Sequence, residues 1–296
     1  MPVETDLAAS TLAIVPGVSD GARRRPSPSL RRYVRWYDGY RLAGFPPGEH
    51  RGLPSTDLTV VLTIGEPLEL SVPAARGQQP GRFTALASGL ATVPVTIAHD
   101  GNQHGIQLSI TPAGARALFG MPASALGAWV VDLEDVLGAG AWELRERIAA
   151  TDDWPDRFAV LDEVLGRAAN HDSAVDTGLS RAWQRLTDRD GPRVSAIADD
   201  IGWSRRHLTS RFTAEFGVGP KDAARLARFE RSRRLLGRPG RHRLADIAAR
   251  AGFYDQAHLA RDWRDLAGVP PTQWMFDEVF PIVQDTDSCP SAGWEA

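Results

Sequence analysis

VSAIADDIGWSRRHLTSRFTAEFGVGP, residues 194–220, decides how the last third of this chain folds, because residues 244–271 repeat it as LADIAARAGFYDQAHLARDWRDLAGVPP. Ile197/Ile247, Ala198/Ala248, Gly202/Gly252 and Trp203/Phe253 keep step at an offset of 50. Past the turn the offset is 51, as in His207/His258, Leu208/Leu259, Phe212/Trp263, Gly217/Gly268 and Pro220/Pro271. The extra residue falls inside the turn, where an insertion disturbs packing least, so the two stretches read as one duplicated unit.

Each residue type has a physical task. Ile197 and Ala198 face inward from a short helix, and Gly202 supplies the left-handed conformation that ends it. Trp203 fills the angle between helices, and Ser204 caps the next helix by accepting from its free amides. Leu208, Phe212 and Phe216 recur at helical spacing and bury one face, leaving Arg205, Arg206, His207, Thr209 and Ser210 outward. The second unit repeats the scheme with Asp255 as cap and Leu259, Trp263 and Leu266 inside; Gln256, Ala257, Ala260 and Arg261 face outward. Two helices joined at a steep angle by a short Gly-containing turn are a helix-turn-helix, whose second helix enters the DNA major groove.

Charge agrees with this, although the whole chain hides it. The net charge is −3 and the pI about 6.2, which argues against a uniformly basic binder. Leu179 to Met275 carry 19 Arg and Lys against 11 Asp and Glu, a net of +8, which leaves −11 for the remainder. The basic charge is confined to one domain, as a soluble, salt-dependent DNA reader requires.

The 296 residues, 43% of them hydrophobic, suffice for two buried cores. No apolar run is long enough to span a bilayer and the start MPVETDLAAS lacks the pattern of a signal peptide, so a cytoplasmic location is expected. Residues 1–29 read as a flexible leader, with GARRRPSPS at 21–29 a solvated basic arm, and 281–296 as a flexible tail that holds the lone Cys289. One cysteine excludes an internal disulfide and a Cys-based zinc site.

From Leu30 the pattern is short and β-like: 33–42, 57–64, 68–72, 94–98 and 105–110, separated by Gly/Pro stretches. At Thr111 the period changes to that of a helix, with helices expected at 112–119, 132–137, 141–150 and 155–169. The fold class expected is α+β: a sensor-like domain at 30–171, built as a small sheet or open barrel plus helices, followed by an all-α DNA-binding domain at 172–280.

The C-terminal hundred residues resemble the DNA-binding domain of the AraC/XylS family of bacterial transcription regulators, in which one long helix joins two helix-turn-helix units. PKDAARLARFERSRRLL, 220–236, stands where that linker helix belongs, and GFYDQAHLARDWRDLAGVPPTQW, 252–274, matches the family's signature stretch. LPSTDLTVVLTIGEP at 53–67 and ITPAGARALFG at 110–120 are similar to a subgroup with a β-plus-helix sensor region. The resemblance implies base reading by Arg206, Thr209 and Ser210 in the first unit and by Gln256, Ala257, Ala260 and Arg261 in the second, with Arg205 and Arg211 on phosphates. Arginine pairs with guanine and glutamine with adenine, whereas the alanines offer only apolar contact to a thymine methyl. It also implies double-stranded promoter DNA as partner, read by one monomer in successive major-groove turns about 34 Å apart. RNA polymerase, a small-molecule effector and a second copy of the chain are open as further partners.

The residues admit other readings. His207 and His258 read as half-buried side chains bonding backbone or phosphate, ahead of a metal or catalytic role. His99, Asp100 and His104 lack the spacing and the Glu of a cupin metal site, so no metal and no cofactor are expected. Tyr33, Trp36, Tyr37 and Tyr40 read as core ahead of pocket lining. No enzyme is expected: alkyl-transfer chemistry, found in relatives of the resembled family, needs reactive cysteines. The alternatives are an enzymatic or metal-binding N-terminal domain tethered to DNA, and a non-specific architectural DNA protein.

Overall fold

The computed structural model describes residues 17–188, 191, 193–238 and 243–277. The first 16 residues of the expected leader and the expected tail, Cys289 included, lie outside the described residues.

Among the described residues the N-terminal half forms two sheets. The larger runs in the order β1 (Val18–Arg24), β2 (Val34–Ala43), β9 (Gln103–Ile110), β4 (Leu58–Thr63), β7 (Ala85–Ser88), β10 (Val130–Asp132); the smaller runs β3 (Gly48–Gly52), β8 (Val95–His99), β5 (Leu68–Val72), β6 (Gly81–Phe83). Every pairing is antiparallel. The central strand β4, LTVVLT, is covered on both faces. Leu58, Val60 and Leu62 meet the helices, while Val61 meets Leu68, Leu70, Leu86 and Val130 between the sheets.

The helical layer starts where the pattern changes. Thr111 caps α1 (Pro112–Phe119) by accepting from Gly114 N at 3.1 Å, and Gly120 ends it at φ 69°. α2 (Leu133–Leu137), α3 (Ala139–Ala149) and α4 (Trp154–Ala168) follow, the last packing Phe158, Leu161, Val164 and Leu165 into the core. Trp154 lies so close over β2 that a Cβ on Gly39 would meet its ring at 2.4 Å.

The structure corrects the expected leader. Residues 18–24 pair with β2 along its length, Ser19 opposite Leu42 and Arg24 opposite Tyr37. Part of the basic stretch is held in place: Arg23 pairs with Asp38 at 3.1 Å, Arg24 with Asp162, and Arg25, though exposed, lies 4.7 Å over the Trp36 ring. Of the aromatic run, Tyr33, Tyr37 and Tyr40 are buried in apolar clusters, and Tyr40 also lines a cavity between the sheets.

Seven helices follow among the described residues: α5 (Thr177–Thr187), α6 (Val194–Asp200), α7 (Arg205–Phe216), α8 (Pro220–Leu236), α9 (Leu244–Ala251), α10 (Gln256–Ala267) and α11 (Pro271–Asp277). Two apolar clusters divide them. One continues without a break from the sheet and α1–α4 into α5, α6, α7 and the start of α8. The other joins α8, α9, α10 and α11, and takes one residue from the sheet domain, Leu53.

Candidate nucleic-acid interface

The two helix pairs α6/α7 and α9/α10 are built alike. Gly202 and Gly252 take φ 73° and 88°, and so turn the chain between helices where a side chain would be strained. Ser204 Oγ accepts from His207 N at 3.2 Å, and Asp255 Oδ1 from His258 N at 2.7 Å, capping both second helices. Ile197, Ala198, Leu208, Phe212 and Phe216 are buried in the first pair; Ile247, Ala248, Phe253, Leu259, Trp263 and Leu266 are buried in the second. Trp183 of α5 stacks on Phe212 at 5.6 Å, and Trp263 packs on Phe229 of α8 at 4.8 Å while donating to Ser232 Oγ at 2.9 Å.

The outer faces are where the pairs differ. On α7 the side chains of Arg205, Arg206, Thr209, Ser210 and Arg211 are exposed; on α10 Gln256, Ala257 and Arg261 are exposed and Ala260 is half-buried. The first face is arginine-rich and the second is shallow. His207 stands edge-on to Trp203 at 4.8 Å. His258 stands edge-on to Phe253 at 5.3 Å, accepts from the Tyr254 amide at 3.4 Å and lies 3.6 Å from Asp262, so it braces the turn.

Much of the basic charge counted in the sequence is spent inside the domain. Arg225 binds Asp262 at 3.2 Å and Asp265 at 2.9 Å, and Arg181 and Arg185 share Asp200. Arg231 donates to Thr187 O at 2.9 Å and Ala251 O at 3.2 Å, tying α8 to both halves; burial holds its pKa below the usual guanidinium value. Among the described residues Arg205, Arg206, Arg211 and Arg261 enter no ion pair, which leaves them free for an external anion.

The sheet domain grips this unit at two places. Arg116 of α1 holds Glu215 of α7 with Nε and Nη2, both at 2.6 Å, and Ser124 Oγ donates to Ala214 O beside it. Residues 53–57, LPSTD, meet α8: Leu53 enters the second core, and Thr56 Oγ1 donates to Glu230 at 2.7 Å. Burial pushes the Asp57 carboxyl up despite its bonds to Arg35. Burial also acts to raise Glu230, but Arg234, Arg233 and Thr56 outweigh it and hold Glu230 low. The same 53–57 segment walls a cavity of about 100 Å³ between the two sheets. Its lining is mostly apolar, with Val61, Leu70, Leu86 and Ile97, and its polar and charged side chains include His50, Arg51, Asp57, Ser88 and Gln107.

His99, Asp100 and His104 do not converge. His99 Nδ1 accepts from Gly101 N at 3.2 Å, Asp100 accepts from Asn102 N, and His104 meets Arg157 at 3.3 Å. Among the described residues no three His, Cys, Asp or Glu side chains are grouped to hold a metal ion.

Residues 179–275 match the family model described as a helix-turn-helix domain. ToxT from Vibrio cholerae has a similar fold, at 13% identity over 81% of this chain and 97% of its own, with a TM-score of 0.50. An apo ToxT variant from strain SCE256 gives 13% identity, 86% and 99% coverage and a TM-score of 0.51. An AraC-type regulator from Chromobacterium violaceum is 22% identical over 36% of this chain and 95% of its own, with a TM-score of 0.31. No curated protein matches the chain in sequence. Residues 179–275 are an AraC-type helix-turn-helix domain behind a two-sheet domain of the ToxT fold, and the chain that carries them is a DNA-binding transcription regulator.

Proposed function

We propose that this regulator reads one non-palindromic promoter site, with α7 in one major-groove turn and α10 in the next. The observation that carries this is the contrast between matched interiors and unmatched faces. Arg206, Thr209 and Ser210 in the first unit, and Gln256, Ala257, Ala260 and Arg261 in the second, are the base-reading residues; Arg205 and Arg211 hold phosphates. Two unlike faces on one scaffold require two unlike half-sites. α8 fixes their separation, because its arginines bind both halves. The division at 171/172 is proposed as a functional one, since one apolar cluster runs across it. The test uses the full chain: selection from random duplexes should return one asymmetric site bound at least a thousandfold more tightly than random DNA at physiological salt. Recovery of no site, or of a symmetric one, overturns the reading.

A second reading concerns the sheet domain. The cavity behind residues 53–57 suits a small, mainly apolar effector with a polar group for its Gln107, Arg51 or His50 side chains, and its wall is the same segment that touches α8. A regulator acting in the cytoplasm, without enzymatic activity, fits this arrangement. Among the described residues no helix is long and apolar enough to cross a membrane.

A further inference from the structure

The two helix-turn-helix units differ in length by one residue, and the structure identifies it. Trp203 and Phe253 occupy equivalent places at the offset of 50, while the caps Ser204 and Asp255 are equivalent at 51. The residue that the second turn has and the first lacks is Tyr254. It is 92% exposed, more than any other large hydrophobic side chain in the described residues. Phe253 on one side and Leu259 beyond the cap fill the interior, so the inserted side chain has nowhere to go but outward. Its backbone is nonetheless fixed: the Tyr254 amide donates to His258 Nδ1, and that ring is held between Phe253 and Asp262.

A tyrosine presented in this way adds nothing to packing, because its ring remains in water. Its surroundings belong to the reading face. Gln256 and Ala257 follow directly after the cap, and Ala257 and Ala260 keep the face of α10 shallow, so that the helix can approach the groove closely. A helix seated with its first turn in the groove brings the residue before its cap to the groove's edge, where the sugar-phosphate chain runs. Tyrosine hydroxyls are among the donors that hold phosphate oxygens and fix register without reading sequence.

We propose that Tyr254 is a DNA-contact residue whose hydroxyl donates to a phosphate bordering the second half-site, positioning α10 in place of the contacts its two alanines cannot make. This rests on the reading that α10 enters the major groove. It gives the second unit a backbone anchor that the first, richer in arginine, does not need.

The test compares full-length wild type, Tyr254→Phe and Tyr254→Ala on the asymmetric site recovered by selection, on its single-base variants, and over a range of salt. Trp142→Ala, an exposed tryptophan on α3, controls for loss of surface aromatic area. Tyr254→Phe should bind about five- to tenfold more weakly, Tyr254→Ala at least as weakly, and Trp142→Ala like wild type. The loss should be the same on every single-base variant, with the salt slope unchanged because tyrosine carries no charge. Tyr254→Phe binding like wild type overturns the phosphate contact, whatever Tyr254→Ala does. A wild-type chain that selects no site brings down the wider reading instead, and the two failures are distinct.

Discussion

Arg116 and Glu215 stand 99 positions apart in the chain and meet as a two-point ion pair, Nε and Nη2 each 2.6 Å from a different carboxylate oxygen. Arg116 belongs to the first helix after the last long strand, and Glu215 to the first recognition helix. Glu215 is buried, and its bond raises the Arg116 pKa above the usual guanidinium value. The first reading helix is therefore fastened to the sheet domain at its C-terminal end, while its N-terminal end stays exposed.

Arg116→Met should cost about 2 kcal/mol of unfolding free energy, between the values for exposed and fully buried pairs, because it leaves a buried carboxylate without its partner. The double variant with Glu215→Leu should recover part of that loss. Urea unfolding of the four proteins in the cycle measures the coupling, and additive losses would mean that the pair contributes nothing specific.

Among the described residues Leu53 is the one residue of the sheet domain in the second core, with Leu226, Phe229 and Trp263. Leu53→Ala should destabilise by about 2–4 kcal/mol through the cavity it leaves. Amide exchange should show where: protection should fall in α9 and α10 as well as around β3. Loss confined to the sheet domain would show that Leu53 does not couple the two.

The stability of the sheet domain should fall in acid through His50. Burial, and then the neighbouring His99, depress its pKa from 6.5 to about 4. The unfolded chain takes up this proton first, so stability is constant above pH 6.5, falls as pH drops below it, and the loss is complete near pH 4. At pH 5 the deficit from this group is about 2 kcal/mol. His104 is depressed to about 4 as well, by burial and by Arg157 and Arg41, and adds to the slope. His50→Leu, compared with wild type by urea unfolding at pH 7.5 and 5, isolates the share of His50; an unchanged difference between the two pH values counts against it.

The parts legible in the sequence are those that local periodicity encodes. Thr111-Pro112 marks the start of α1 and Gly202 and Gly252 the turns, because caps and left-handed residues act within one helical turn. β1 is illegible in the sequence: VSDGARR has no alternation, and it is a strand only because β2 offers an edge, where Arg23 finds Asp38 of β2 and Arg24 finds Asp162 of α4. β7, ALAS, is hidden in the sequence because small residues carry little strand signal, although its place between β4 and β10 buries Ala85, Leu86 and Ala87. Leu53 in LPSTD looks like any loop leucine, and nothing near it in sequence says that it completes a core around Trp263. The outward residues of α7 and α10 follow from the repeat, because their exposure is set by the buried positions between them.

The two reading faces should fail separately. Arg206 on α7 has the reach for a bidentate bond to guanine and makes no ion pair within the described residues, so Arg206→Ala should cost about 1–3 kcal/mol on the selected site. Gln256→Ala should cost a similar amount through adenine, but at the other half-site. The informative measurement is a repeat of the site selection with each variant. Arg206→Ala should relax base preference in one half only, and Gln256→Ala in the other, while Arg205→Ala should weaken binding to all sequences alike and lower the salt slope by about 1. Because Arg231 ties α8 to α5 and α9, and Arg225 ties it to α10, the spacing between the halves should be unchanged in all three. If Arg206→Ala and Gln256→Ala relax the same base pairs, the two helices do not read separate half-sites, and a single recognition helix must carry the specificity.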